Sequence, residues 1–222
     1  GVWQDACRER GWAAGKPVLR TWKEQFAYRC ERTLTDNTIR VAVRDALELP
    51  PPHVHQLYGP IADWDVSEVT KMTDMFRGAE AFNGDLSRWD VSKVKYMSGM
   101  FWGATAFKCD FSRWDVSEVI NMEGMFNSAY VFNGDLSRWD VSKVTKMSQM
   151  FESAFKFNGD LSRWDVSKVT NTKKMFAFAW AFNGDLSRWD VSKVTNMGKM
   201  FYEAHAFNGD LSRWKVGNVT NT

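Results

Sequence analysis

The sequence is poor in the residues that do chemistry. It holds three histidines and three cysteines among 222 residues, and they assemble into no Ser/His/Asp or Cys/His set. Its net charge is only +2, no footprint for nucleic acid. No run of 18 apolar residues is present, so no segment of that kind can span a bilayer. No positively charged n-region followed by an apolar h-region opens the chain. His53 and His55 lack a third ligand nearby and are expected in a Pro-rich surface loop rather than a metal site. Cys7 and Cys30 can pair, whereas Cys109 reads as a free thiol in a slot that other units give to glycine. One glycosylation sequon, Asn218-Val219-Thr220, leaves the compartment open.

What the chain does have is a period. Trp64, Trp89, Trp114, Trp139, Trp164, Trp189 and Trp214 stand 25 residues apart with no insertion or deletion. Six full units precede a partial seventh. A strict period of this length predicts a solenoid, because one unit cannot bury its own apolar face and must stack on its neighbours.

In the unit from Leu86, the apolar positions Met97, Met100, Phe101, Ala104 and Phe107 follow the stripe of a short amphipathic helix. Ahead of it, two short extended segments near 85–90 and 92–97 meet at a corner, Asp90-Val91-Ser92. The Asn-Gly-Asp before Leu86 signals a turn with positive φ. Stacked coils place equivalent strands about 4.8 Å apart, giving a rod roughly 30 Å long with ladders of Trp, Phe and Met inside. The expected fold is α/β: a right-handed leucine-rich-repeat-like solenoid with a helical N-terminal cap.

Two aspartate columns, from Asp85 to Asp210 and from Asp65 to Asp190, flank an arginine column from Arg88 to Arg213. The plain reading is that these carboxylates accept turn N–H groups and pair with arginine. A calcium ladder is the alternative, but each unit offers one Gly-Asp and lacks a dense oxygen set. The Arg-Trp pairs imitate single-strand binders, yet aspartate flanks each pair and the Trp column belongs to the core.

Residues 1–34 form a helical N-terminal extension, with Trp22 and Phe26 on an apolar face that either folds back on the first coil or docks another protein. Thr35 or Asp36 is expected to cap a helix carrying Ile39, Ala42, Val43, Ala46 and Leu47, which Pro50-Pro51-Pro52 ends. Residues 35–63 then form a cap and half-repeat, with Ile61 in the Leu86 column, and 64–222 the repeats. The last unit stops half way round, so either further chain or a partner is expected over that end.

The pattern Val-Thr-x-Met-x-x-Met-Phe-x-x-Ala-x-x-Phe-Asn-x-Asp-Leu-Ser-x-Trp-Asp-Val-Ser resembles the bacterial surface protein 26-residue repeat. That repeat is found in mycoplasma and Gram-positive surface proteins and in many algal and protist ones, and it is similar to the BspA-like leucine-rich repeats. The resemblance covers residues 58–222, with Phe111 for Leu and Thr172 for Met as departures. It implies adhesion or protein binding, no catalytic residues, no cofactor, and a cell-surface location, or alternatively an organellar assembly in an alga.

If the constant positions build the rod, the variable ones specify a partner. One variable column reads Arg77, Trp102, Asn127, Glu152, Ala177, Tyr202, and on a helix it points away from the buried stripe. The next reads Glu80, Thr105, Tyr130, Phe155, Trp180, His205 and lies on the stripe's flank. Trp102, Tyr130, Phe155, Phe178, Trp180 and Tyr202 are therefore the candidate partner-binding residues, together with Trp22 and Phe26. The alternative for the second column is that its rings widen the core. A non-catalytic protein-binding or scaffold module is the expected function, adhesin-like or a subunit of a larger assembly. A carbohydrate- or calcium-binding surface repeat is the alternative. The partners expected are proteins, with neither nucleic acid nor a membrane span.

Overall fold

The computed structural model describes residues 33–49 and 51–222. The expected helical extension, with Trp22, Phe26, Cys7 and Cys30, lies outside the described residues. Helix α1 spans Thr38–Glu48 and α2 spans Pro51–Tyr58, followed by a 3-10 turn at Ile61–Asp63. The Pro-rich stretch is thus a helix and not the expected loop: Pro51 takes the first helical position, where its missing N–H costs nothing. His53 and His55 are exposed on it. Tyr58 ties α2 to α1 by donating its hydroxyl to Asp45 at 2.8 Å, and its ring packs on Trp64.

Beyond Asp63 no α-helix is found among the described residues. The short helix expected over 97–107 in each unit is replaced by consecutive turns. In the first unit Met75, Arg77 and Ala79 donate their N–H groups to Met72, Asp74 and Phe76 three residues back. The alternate groups, on Met72, Asp74, Phe76 and Gly78, reach across to Tyr96, Ser98, Met100 and Trp102 of the next unit at 2.7–2.9 Å. An α-helix would spend all these donors on its own carbonyls; here half of them join neighbouring coils. Two left-handed residues per unit permit it, the third residue of a turn in each case. One column runs Asp74, Gly99, Gly124, Gln149, Lys174, Lys199, the other Gly78, Gly103, Ser128, Ser153, Phe178, Glu203, all with φ between 53° and 73°. For the non-glycine members this conformation costs roughly 1–2 kcal/mol each, which the inter-coil hydrogen bonds offset. The apolar spacing of three and four is the same for both geometries, so Met97, Met100, Phe101, Ala104 and Phe107 are buried as expected.

The expected strands at 85–90 and 92–97 also shrink. Turns close 86–89 and 91–94, and the only bridges among the described residues are parallel ones linking Lys71, Tyr96, Asn121, Lys146, Asn171, Asn196 and Asn221 in series. Beside them Thr145, Thr170, Thr195 and Thr220 donate both N–H and hydroxyl to the carbonyl 25 residues earlier.

Between these edges lies a single apolar core. Phe76, Phe101, Phe126, Phe151, Phe176 and Phe201 stack with centroids 5.5–5.8 Å apart. Each also stacks within its coil on the phenylalanine six residues on, at 4.0–4.3 Å. The indoles stack near-parallel from Trp114 to Trp214 at 6.4–6.5 Å. Their Nε1 atoms explain why tryptophan occupies this column: Trp114, Trp139, Trp164, Trp189 and Trp214 donate to the carbonyls of Leu86, Phe111, Leu136, Leu161 and Leu186 in the preceding unit. Trp89 does the same to Ile61, which places Ile61 in the Leu86 column. Phe111, where other units have leucine, wedges against Trp114 at 4.3 Å and against Phe107 and Phe132 at 5.8 and 5.9 Å.

The Asn-Gly-Asp turn departs from expectation in its reason for glycine. Gly134, Gly159, Gly184 and Gly209 do not have positive φ; a Cβ there would stand 2.9–3.1 Å from the phenylalanine ring two residues earlier. Close approach of a ring, not backbone handedness, demands the missing side chain. The asparagines form their own ladder: Asn133, Asn158 and Asn183 each accept from the main-chain N–H 25 residues on.

The first coil is closed by α1, whose Ile39, Ala42 and Val43 are buried. Neither Thr35 nor Asp36 caps this helix as expected; Asn37 is the N-cap and makes no side-chain bond. Asp36 instead accepts from Thr70 N at 2.6 Å, Thr70 Oγ1 at 2.8 Å and Lys71 N at 2.9 Å. A carboxylate thus stands in for the carbonyls that a preceding coil would supply to this edge.

A candidate interaction surface on the turn face

The flank column becomes an aromatic ridge. Tyr130 stacks on Phe155 at 4.7 Å and 14°, and Phe155 on Trp180 at 4.1 Å and 11°. The imidazole of His205 continues the row at 6.5 Å. These rings do not widen the core: Tyr130 and Trp180 remain 40% and 47% exposed, and Phe155 is half-buried. Next to the ridge, Tyr202 is 49% exposed and meets Phe178 edge-on at 5.3 Å. Phe178 is half-buried and held at φ 57°, an uncommon conformation for a bulky side chain.

Trp102 is not part of this group. It is half-buried, covered by the Arg77 guanidinium at 4.2 Å, and lies where a Cβ on Gly124 would collide with its ring. Its column does not simply point away from the core, as the helical angle requires, because Asn127, Glu152 and Ala177 are buried. The 100° rule fails where the backbone is a series of turns. Glu152 is nonetheless satisfied, by Lys174 Nζ at 2.8 Å, Gln149 Nε2 at 2.6 Å and Asn127 Nδ2 at 3.2 Å. The lysines Lys156 and Lys199, exposed beside the ridge, were not singled out from sequence; their columns mix alanine, valine, aspartate and glycine, so only proximity reveals them.

Both aspartate columns make Asx turns. Asp85, Asp110, Asp135, Asp160, Asp185 and Asp210 each accept from the N–H of the serine two residues on. Asp65, Asp90, Asp115, Asp140, Asp165 and Asp190 do the same. The expected pairing of these columns with the arginine column is not found among the described residues; Arg88 pairs instead with Asp63, which belongs to neither aspartate column. The serine N–H, joined by its hydroxyl, holds Asp85, Asp135, Asp140, Asp160, Asp185 and Asp210 below the ordinary carboxylate value. A carboxylate depressed in the fold contributes stability above its unfolded value, about 3.9, and loses it as pH falls through the folded value. The melting temperature is therefore expected to stay level from pH 7 to about 5 and to drop below about 4. A drop beginning near pH 6 in thermal melts would contradict this.

Cys109 is a buried free thiol whose Sγ accepts from Leu86 N, and burial pushes its pKa up. No group of three His, Cys, Asp or Glu side chains converges as a metal site would require, among the described residues. No described helix is long and apolar enough to cross a membrane.

Identical main-chain and ring contacts recurring every 25 residues define a repeat protein, in which the invariant positions make the contacts between successive units. The chain belongs to the family described as Mycoplasma protein of unknown function, DUF285, whose profile matches residues 53–139 and 131–222. No curated protein and no solved structure matches the chain.

Proposed function

We propose that the chain is a non-catalytic protein-binding or scaffold module, a right-handed solenoid of leucine-rich-repeat type that presents the ridge Tyr130–Phe155–Trp180–His205 and the adjoining Phe178–Tyr202 pair to a partner. On this reading the repeat is the 26-residue surface type, working as an adhesin or as a subunit of a larger assembly. The observation that carries the reading is the exposed stack. Three neighbouring units place a large ring at one variable position, and the rings meet at the surface. Solvent-exposed aromatic clusters mark interaction surfaces, where Tyr and Trp are enriched among the residues that dominate affinity. The first two units have Glu80 and Thr105 there, so the stack itself does not need the rings.

The test begins with co-purification of the native protein and identification of its partner by mass spectrometry. Equilibrium binding is then compared for Trp180→Ala and Phe155→Ala. Each is expected to weaken binding about tenfold or more, within the range of a buried aromatic anchor, with the melting temperature kept. Unchanged affinity in both variants removes this face from consideration.

A further inference from the structure

Resting on that reading, we propose that the ridge takes an acidic, extended peptide segment of a partner protein, with apolar side chains against the rings and carboxylates against the lysines beside them.

The rings themselves narrow the choice. Tyr130, Phe155 and Trp180 turn their faces on one another at 4.7 and 4.1 Å, so what they offer outward is edges. A sugar ring stacks on an aromatic face, and both faces of Phe155 and one face each of Tyr130 and Trp180 are taken. An aromatic edge carries the positive rim of the ring quadrupole, which favours carbonyl and carboxylate oxygens and the faces of other rings. A peptide supplies all of these.

Charge selects the sign. Lys156, next to Phe155 in the chain, and Lys199, whose Nζ lies 5.5 Å from the Tyr202 ring, are exposed and make no ion pair among the described residues. In the same coils Glu152 is already engaged by Lys174 at 2.8 Å, and Glu203 lies 3.4 Å from His205, an ion pair only when that imidazole is protonated. The remaining acids of the face, Asp74, Glu80 and Glu123, belong to coils before the ridge reaches Phe155. Lys156 and Lys199 therefore stand beside the rings as cations with no ion-pair partner among the described residues. From Tyr130 to His205 is three coil steps, about 15 Å, which four to five residues of extended chain cover.

Fluorescence anisotropy with a labelled octapeptide alternating Glu or Asp with Leu or Phe tests this on the full chain. Three competitors complete it: the same peptide with lysine for its acids, the same with glycine for its apolar residues, and a heparin oligosaccharide. The acidic apolar peptide is expected to bind at least tenfold more tightly than each competitor. Its binding should weaken about tenfold in Trp180→Ala, about fivefold in Lys156→Gln/Lys199→Gln, and progressively with salt. Equal binding of the lysine peptide, still lost in Trp180→Ala, overturns the acidic occupant and leaves the ridge standing as a binding face. Preferred binding of the glycine peptide or heparin, indifferent to Trp180→Ala, overturns both. Absence of binding by every probe overturns the peptide, while the co-purified partner still judges the ridge.

Discussion

Trp164→Ala is expected to lower the unfolding free energy by about 3–5 kcal/mol, the usual cost of emptying a large buried aromatic site. Its indole is 3% exposed, lies between Trp139 and Trp189 at 6.4 Å on either side, and donates to the Leu136 carbonyl at 3.0 Å. In a stack where each coil touches only its neighbours, damage at one interface divides the array. Hydrogen exchange should therefore rise first in the coils beside Trp164 and least near α1. Trp164→Phe separates the two contributions: it keeps a ring and orphans the buried carbonyl, for an expected loss of about 1–3 kcal/mol. A chemical denaturation midpoint that barely moves in Trp164→Ala would mean that the indole column does not hold the coils together.

The second large effect is expected where α1 closes the first coil. Asp36→Ala removes the acceptor for Thr70 N, Thr70 Oγ1 and Lys71 N together. Hydrogen bonds to a charged group contribute about 1.5–3 kcal/mol, and a loss of that order is expected in the docking of α1. The helix does not leave altogether, because Ile39, Ala42 and Val43 remain to be buried, and Arg40 still donates to Thr73 O at 3.1 Å. Faster exchange of the 38–48 and 70–72 amides, with the later coils unchanged, is the readout. Burial alone would raise the Asp36 pKa; the bonds from Thr70 and Lys71 and the Lys71 charge outweigh it and hold the group below its ordinary value. Acid should accordingly loosen α1 as pH falls through that value, and Asp36→Ala should abolish this pH dependence. Exchange identical to the parent chain at neutral pH would show that apolar contact alone seats the lid.

The contrast between these two residues shows what can be read from one sequence. Trp164 was legible because it recurs, and recurrence at a fixed interval assigns a column to the interior before any geometry is known. Asp36 occurs once, at a place where a helix cap was the natural reading; only the nearness of residues 70 and 71 reveals its role. The same division runs through the binding face. Tyr130, Phe155 and Trp180 stood out as large rings in one variable column, whereas Trp102 was misjudged by a helical angle that the chain does not follow. The lysines around the ridge gave no signal, since their columns vary in size, charge and polarity.

Composition and period by themselves determined which recurring apolar columns face inward, because units of equal length can bury their apolar positions only against one another. They did not determine how the backbone closes. Spacings of three and four residues serve a helix and a run of turns equally well. The choice depends on where alternate N–H groups of residues such as Phe76 and Gly78 find carbonyls, and those carbonyls belong to the next coil. Left-handed backbone at Gln149, Lys174 and Phe178, residue types that do not announce it, is tolerated only because that neighbouring coil is already in place.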